Sequence, residues 1–528
     1  MQAPAARPAA HVAQRLAHWA AERPLSPALL DGARAISFGA LDDECARLGA
    51  GLQSVGVSSG TRVALMVPPS LELYALAFAL FRIGAVPVLV DPGVGWKHLK
   101  ECLGQAKPEV FIGSPKAHLG RVLGGWGKGT LRLKIAARGS FPGAVGLGAL
   151  RRGASGLRAP DKPEPGAPAA ILFTSGSTGT PKGAVYTQEM LGAQIDALRE
   201  LFGCRPGQVS VATFPLFGLF DVALGMTVVL PRMDATKPGS VEPEAILGPI
   251  EKHGAAQLFG SPALLDRVGR FLEKTGRRIP GLERVLSAGA PVPARVLARL
   301  RPALPPGCRI YTPYGATEAL PVACAADDEL AQTAALTAKG QGVCVGRPAP
   351  GVEVRVIAVD DGPVAEALPL PVGQIGEICV RGPIASPAYF EKPEATRLAK
   401  IADGDTFWHR MGDLGRFDAE GRLWFCGRKS QRVVPKEGGA TLYTACVEGV
   451  LDAHPAVRRS ALVSARGAAA VVVELEPGRK PSEALTRELA ALTPVKRVLF
   501  HPSLPVDARH NAKIQREKLA VWAEGKVS

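Results

Sequence analysis

Apolar and polar positions along the first 350 or so residues follow two alternating periods. Val12, Leu16 and Trp19 fall on one face of a helix that Pro24 ends. The longest apolar run, residues 73–81, lies between Glu72 and Arg82 and predicts a buried helix. It is well short of the roughly 18 residues that a membrane span needs. Short apolar runs at 62–68, 86–91, 109–113, 170–174, 210–214, 257–260 and 284–288 predict strands. Several end in Pro, Gly or Asp and lead into helix-like stretches, the pattern of α/β layering with mainly parallel strands. From Val352 onward the pattern changes to short strands separated by turns, in VEVRVIAV, GEICVRG and GRLWFCGR. The expected fold is therefore α/β: a large N-terminal domain of layered αβ subdomains with a β-rich subdomain, followed by a small α+β C-terminal domain. The boundary is placed at 427/428, giving units 1–427 and 428–528. Residues 139–168, rich in Gly, Ala, Arg and Pro, read as a flexible connection.

Composition narrows the class. The 528 residues are 47% hydrophobic and 21% charged, as expected for a soluble globular protein. The N-terminal segment lacks the apolar core of a signal peptide, so a cytoplasmic location is expected. Nine cysteines are scattered without a CxxC pair or zinc-like spacing, which reads as reduced structural thiols. The net charge is +15. That balance would suit a nucleic-acid partner, but the basic residues are placed singly and without interleaved aromatics, so no nucleic acid is expected. Residues 428–528 carry 17 basic and 10 acidic side chains, an excess suited to a small domain closing over a polyphosphate.

The most informative segment is ILFTSGSTGTPKG, Ile171 to Gly183. An apolar strand runs into a loop of Thr174, Ser175, Gly176, Ser177, Thr178, Gly179, Thr180, Pro181 and Lys182. Glycines let the backbone approach phosphate oxygens, successive N–H groups can form an anion nest, five hydroxyls add donors, and Lys182 adds a charge. The spacing is neither that of a Walker A loop nor that of a dinucleotide fingerprint.

TSGSTGTPKG resembles the signature of the adenylate-forming superfamily of acyl-CoA synthetases, luciferases and peptide-synthetase adenylation domains. Further motifs of that superfamily follow in order: Tyr314-Gly315-Ala316-Thr317-Glu318, Gly412-Asp413-Leu414-Gly415-Arg416, Gly427-Arg428, and Lys513-Ile514. The resemblance implies ATP and Mg2+ as cofactors. It implies that Thr174–Gly179 and Lys182 hold phosphates, and that Gly289, Ala290 and Tyr314 border the adenine with Gly315, Ala316 and Thr317 beside them. Glu318 would hold the magnesium, a hard cation that suits a carboxylate. Asp413 would accept the ribose hydroxyls, with Arg428 nearby at the hinge. Lys513, on a small mobile lid, would reach the α-phosphate. Thr174, Lys182, Glu318 and Lys513 are the implied catalytic residues.

Several positions depart from the usual pattern. The hinge reads Gly427-Arg428-Lys429-Ser430-Gln431 and lacks the usual acidic option. Ala512 stands where a glycine is usual, and Gly218 stands where relatives usually carry a histidine. The segments Lys436-Glu437-Gly438-Gly439-Ala440-Thr441-Leu442-Tyr443 and Arg509-His510-Asn511-Ala512-Lys513 resemble one branch, the β-lactone synthetases of bacterial long-chain olefin biosynthesis. That resemblance implies a 2-alkyl-3-hydroxy fatty acid as substrate. It also implies association with other olefin-pathway enzymes, a β-lactone decarboxylase and a ketoacid reductase. The alternatives are an acyl-CoA synthetase or fatty acyl-AMP ligase, and a non-enzymatic basic nucleotide- or nucleic-acid-binding protein.

Overall fold

A computed structural model describes residues 11–90, 94–152, 164–174, 181–435, 439–506 and 514–526. Two large sheets organise the chain. The seven-stranded sheet runs in the order Val145–Gly146, Leu133–Ala136, Val110–Gly113, Arg62–Met66, Val86–Val90, Pro168–Thr174, Lys182–Thr187. Every pairing in it is parallel except the last, where Lys182–Thr187 turns back along Pro168–Thr174. The apolar runs that predict strands fall here because parallel strands are covered on both faces and read as continuous hydrophobic stretches.

The second sheet has fourteen strands. One half is parallel: Pro27–Asp31, Thr227–Leu230, Val209–Ala212, Gln257–Phe259, Arg284–Leu286 and Arg309–Ala316. The chain then reverses into Ala319–Ala326 and Val343–Pro348, and the sheet continues antiparallel through Leu423–Arg428, Thr406–Phe417, Gly376–Arg381 and Glu353–Ile357. The β-rich part expected beyond Val352 is thus a continuation of this sheet. The sequence pattern shows where strands lie but not which neighbour each one takes.

Between the two sheets lies the main core. Helix Leu71–Arg82 buries every residue from Leu73 to Phe81, and serine at its N-cap (Ser70 Oγ accepting from Leu73 N at 3.3 Å) fixes its start. Burial of each large side chain such as Phe78 or Leu80 contributes roughly 1.5–3 kcal/mol. Helix Val12–Glu22 forms as expected, with Val12 and Leu16 buried and Trp19 Nε1 donating to Ala223 O at 2.9 Å.

One expectation is corrected. Residues 139–168 are not wholly a loose connection: Leu147–Arg152 is a helix, and Leu147 and Leu150 are buried. Leu150 sits so close to Gly51 that a β-carbon there would lie 2.3 Å from Leu150 O. Two apolar anchors among glycines were too few to give a helical period.

Downstream of Arg428 a separate sheet of Val457–Ala465, Ala468–Leu475 and Val498–Phe500 packs with helices Thr444–Asp452, Glu483–Leu492 and Arg516–Glu524. It has two small cores of its own, centred on Leu451, Leu462 and Val471 and on Val463, Leu504 and Leu519. It meets the larger part where Arg295 Nε approaches Glu476 Oε1 at 3.9 Å, and where Gly449 lies against Thr337 O. All nine cysteines are free. No helix among the described residues is long and apolar enough to cross a membrane.

Candidate active site

A cleft of about 3030 Å³ opens between the larger part and the C-terminal sheet. Its walls bring together Lys182, Gly289, Ala290, Tyr314–Glu318, Asp413 and Arg428, with Glu448, Asp452 and Arg516 facing them from the C-terminal side.

Asp413 and Arg428 are cross-strand partners on Thr406–Phe417 and Leu423–Arg428. Register alone therefore brings the guanidinium to the carboxylate, with Nη1 2.8 Å from Oδ1. Arg428 Nη1 also reaches Met411 O at 3.2 Å, and Tyr314 donates its hydroxyl to Asp413 Oδ2 at 2.7 Å. Asp413 is 4% exposed. Burial pushes its pKa up, while Arg428 and the Tyr314 hydroxyl hold it back; the net direction is upward. Oδ1 touches Arg428 as an ion pair but has no aligned hydrogen bond. That oxygen has lone pairs to offer a sugar hydroxyl entering the cleft.

Glu318 lies at the turn between strands Arg309–Ala316 and Ala319–Ala326. The hairpin is tight: a β-carbon on Gly315 would lie 2.7 Å from Ala319 O, and Thr317 O accepts from Tyr186 Oη at 2.7 Å. Tyr389 donates its hydroxyl to Glu318 Oε1 at 2.8 Å, and the Lys182 ammonium sits 5.2 Å over the Tyr389 ring. The backbone around Tyr389 joins both motifs. Val185 N donates to Ala388 O at 2.9 Å, Phe390 N to Gly183 O at 2.8 Å, and Ser386 N to Glu318 O at 2.7 Å. Beneath this seam Lys400 Nζ donates to Ser386 O and contacts His409 Nδ1 at 3.0 Å. Burial lowers the Lys400 pKa to about 7, and burial, then the Lys400 charge, lowers that of His409.

Among the described residues no group of three or more His, Cys, Asp or Glu could hold a metal by itself. A single carboxylate at Glu318, joined through Tyr389 to Lys182, would suit a magnesium ion held mainly by phosphates and water. The strand Pro168–Thr174 and its return Lys182–Thr187 pair with Thr174 opposite Lys182, so the two ends of the phosphate loop are side by side. Ser175, Gly176, Ser177, Thr178 and Gly179 lie outside the described residues, as do the Thr174 side chain and Lys513. Val506 and Ile514, which bracket the Lys513 segment, form a bridge, and Arg516 pairs with half-buried Glu448 at 2.6 and 2.7 Å.

Gly289 adopts φ +97°, a conformation open to glycine, just after strand Arg284–Leu286. Deeper in the cleft Phe217 and Phe259 stack with ring centroids 4.0 Å apart, beside Phe214. Behind them Tyr74 Oη donates to Pro215 O at 3.2 Å and occupies the space beside Gly218. Just beyond Arg428, Lys429 Nζ is 3.1 Å from Glu377 Oε2, which also binds Arg410 at 2.6 Å. Arg432 pairs with Asp361 at 2.6 Å. Sequence reasoning missed Tyr389 and Tyr74, because each acts on a residue distant in the chain, and Lys400 and His409, because strand register sets them opposite each other.

A profile of the AMP-binding enzyme family matches residues 16–390. The olefin beta-lactone synthetase of Stenotrophomonas maltophilia (strain K279a) is 48% identical over 515 residues, covering 93% of this chain and 92% of that protein. The olefin beta-lactone synthetase of Xanthomonas campestris pv. campestris is 44% identical over 511 residues, covering 92% and 91%. Among solved structures, the amide bond synthetase McbA from Marinactinospora thermotolerans superposes with a TM-score of 0.80 at 25% identity, covering 97% of this chain and 99% of that one. The chain belongs to the AMP-binding enzyme family.

Proposed function

We propose that this member of the AMP-binding enzyme family is an ATP-dependent β-lactone synthetase acting on a 2-alkyl-3-hydroxy fatty acid. The observation that carries the reading is the convergence on one cleft of the buried Tyr314–Asp413–Arg428 cluster and the Glu318–Tyr389–Lys182 seam. Similarity to two olefin beta-lactone synthetases supports the choice of product.

The substrate carboxylate attacks the α-phosphorus of ATP, the bond to the β-phosphate oxygen breaks, and pyrophosphate leaves. The 3-hydroxyl oxygen then attacks the acyl carbon, its proton leaves, and AMP departs as the four-membered ring closes. Because the nucleophile belongs to the same molecule, proximity replaces an external thiol. Asp413 holds the ribose with Tyr314 fixing its carboxylate. Gly289, Ala290 and Tyr314 border the adenine. Lys182, with Thr174 and Ser175–Gly179, holds the β- and γ-phosphates, and Lys513 neutralises charge on the α-phosphate. A magnesium ion at Glu318 would offset phosphate charge. Phe214, Phe217 and Phe259 line the path of the alkyl chains. The chain divides into 1–427 and a lid, 428–528. It works in the cytoplasm, beside a β-lactone decarboxylase and a ketoacid reductase of the same route.

The test is product mass spectrometry with a matched pair of acids. The hydroxy acid should give AMP and a species lighter by one water. The same acid lacking the hydroxyl should stall as bound adenylate. Rapid conversion of that deoxy acid to a thioester on addition of CoA overturns the lactone reading. Lys513→Ala should lose pyrophosphate release by on the order of a hundredfold or more.

A further inference from the structure

Helix Pro115–Gly124 turns an apolar stripe outward. Leu119, Val122 and Leu123 are 54%, 55% and 73% exposed, and their i, i+3, i+4 spacing puts them on one side. The other side is packed: His118 Nε2 contacts Ile135 O at 2.9 Å, and Gly120 and Gly124 lie against the ring of Trp126. Trp96, 53% exposed, stands at the start of the neighbouring helix Gly95–Ala106 and meets Trp126 with ring centroids 4.6 Å apart. A β-carbon on Gly120 would lie 3.2 Å from the Trp96 ring, so the indole adjoins the stripe. No other helix among the described residues exposes three large hydrophobic side chains. A contiguous apolar patch of this kind marks a binding surface.

The surroundings of the patch are basic. Lys97, Lys100, Lys116 and Lys128 are exposed and are in no ion pair among the described residues. Lys100 follows Trp96 by one helical turn, and Lys116 precedes Leu119 by one. The acidic neighbour Glu101 is engaged by His98 at 2.9 Å. Lys97, His98 and Glu101 line the active-site cleft, so the helix that bears Trp96 forms part of its rim.

We infer that Trp96, Leu119, Val122 and Leu123 dock the enzyme peripherally on an anionic phospholipid bilayer, with Lys100 and Lys116 among the headgroups. An aromatic ring at the edge, aliphatic side chains inserted and lysines at the rim are what such an interface selects. Anionic lipid complements the lysines. Resting on the proposed function, the placement also serves the reaction: an acid with two alkyl chains enters from lipid at the cleft rim, and its uncharged product returns there.

Sedimentation of the purified full-length protein with vesicles tests this without ATP or acid. Vesicles holding roughly a third phosphatidylglycerol should carry the protein down, pure phosphatidylcholine should do so much less, and added salt should weaken the binding. The double variant Leu119→Glu, Leu123→Glu should lose at least about tenfold in partitioning. It should keep its melting temperature and its pyrophosphate release with a short soluble acid. No sedimentation with either vesicle overturns the inference, as does equal binding by the double variant. A concentration-dependent dimer that the double variant abolishes, without vesicle binding, overturns it in favour of a second copy of the chain. Because no turnover is needed, a thioester product would sink the lactone reading and leave this result standing.

Discussion

The phenolic oxygen of Tyr74 occupies the place where residue 218 would carry a side chain: a β-carbon on Gly218 would lie 1.9 Å from it. The glycine found where relatives usually have histidine is therefore a steric requirement of this chain. Gly218→Ala should destabilise by about 1–3 kcal/mol through overpacking. Tyr74→Phe in the same chain should recover part of that loss, since the next nearest ring atom lies at 2.9 Å. Chemical denaturation of the single and double variants checks both, and full stability of Gly218→Ala alone would refute the clash.

Asp413→Asn should raise the half-saturating ATP concentration more than tenfold, because a charged acceptor contributes roughly 1.5–3 kcal/mol per hydrogen bond. Because burial leaves this carboxyl's pKa raised even beside Arg428, the neutral amide should leave stability at neutral pH unchanged or slightly higher. Titration calorimetry with ATP, beside thermal melts, separates the two effects.

Tyr389→Phe removes the hydroxyl on Glu318 but keeps the ring under Lys182. The magnesium concentration that half-saturates pyrophosphate release should rise roughly tenfold, with little change in melting temperature. Tyr389→Leu, which also removes the ring, should in addition weaken ATP binding. An unchanged magnesium dependence in the Phe variant would detach Tyr389 from the proposed magnesium site at Glu318.

Asp452 lines the cleft from the C-terminal unit and accepts from Ser460 Oγ at 2.8 Å; the protein around it raises its pKa to about 7 against an ordinary 3.8, although the residue keeps solvent contact. Between those values the unfolded chain releases a proton that the folded chain keeps, so this group's contribution to stability is full below pH 3.8 and is lost as pH rises through 7. Asp452→Asn should therefore match the parent at pH 4 and exceed it at pH 8, by no more than about 1 kcal/mol because solvent reaches the side chain. Urea unfolding at both pH values measures the difference.

The strands around the phosphate loop were legible because each is a short apolar run covered on both faces, and Leu71–Arg82 because its apolar run is bracketed by charges. The candidate nucleotide motifs are ordered local strings, and the cleft brings Gly289, Tyr314, Glu318, Asp413 and Arg428 to one place. The Tyr389–Glu318 bond and the fit of Tyr74 to Gly218 were not legible, since tertiary packing creates them, and the Lys400–His409 contact was not, since it depends on the register of two paired strands. The Gly427-Arg428 string was visible, but the ion pair that gives Arg428 its place depends on strand register. Helix Leu147–Arg152 escaped notice because its stability comes from docking on Gly51 rather than from its own sequence.

The seam between Gly183–Val185 and Ala388–Phe390 also sets a schedule for synthesis. The strand that closes the phosphate loop leaves the ribosome about two hundred residues before its partner. At about 5–20 residues per second that is a wait of roughly 10–40 s. During it Ala184 has no bridge to Tyr389, and Glu318 has no hydroxyl to hold it. A nascent chain of this protein thus gains its grip on nucleotide only when translation is most of the way done, and ATP can stabilise the finished enzyme but not guide its early folding.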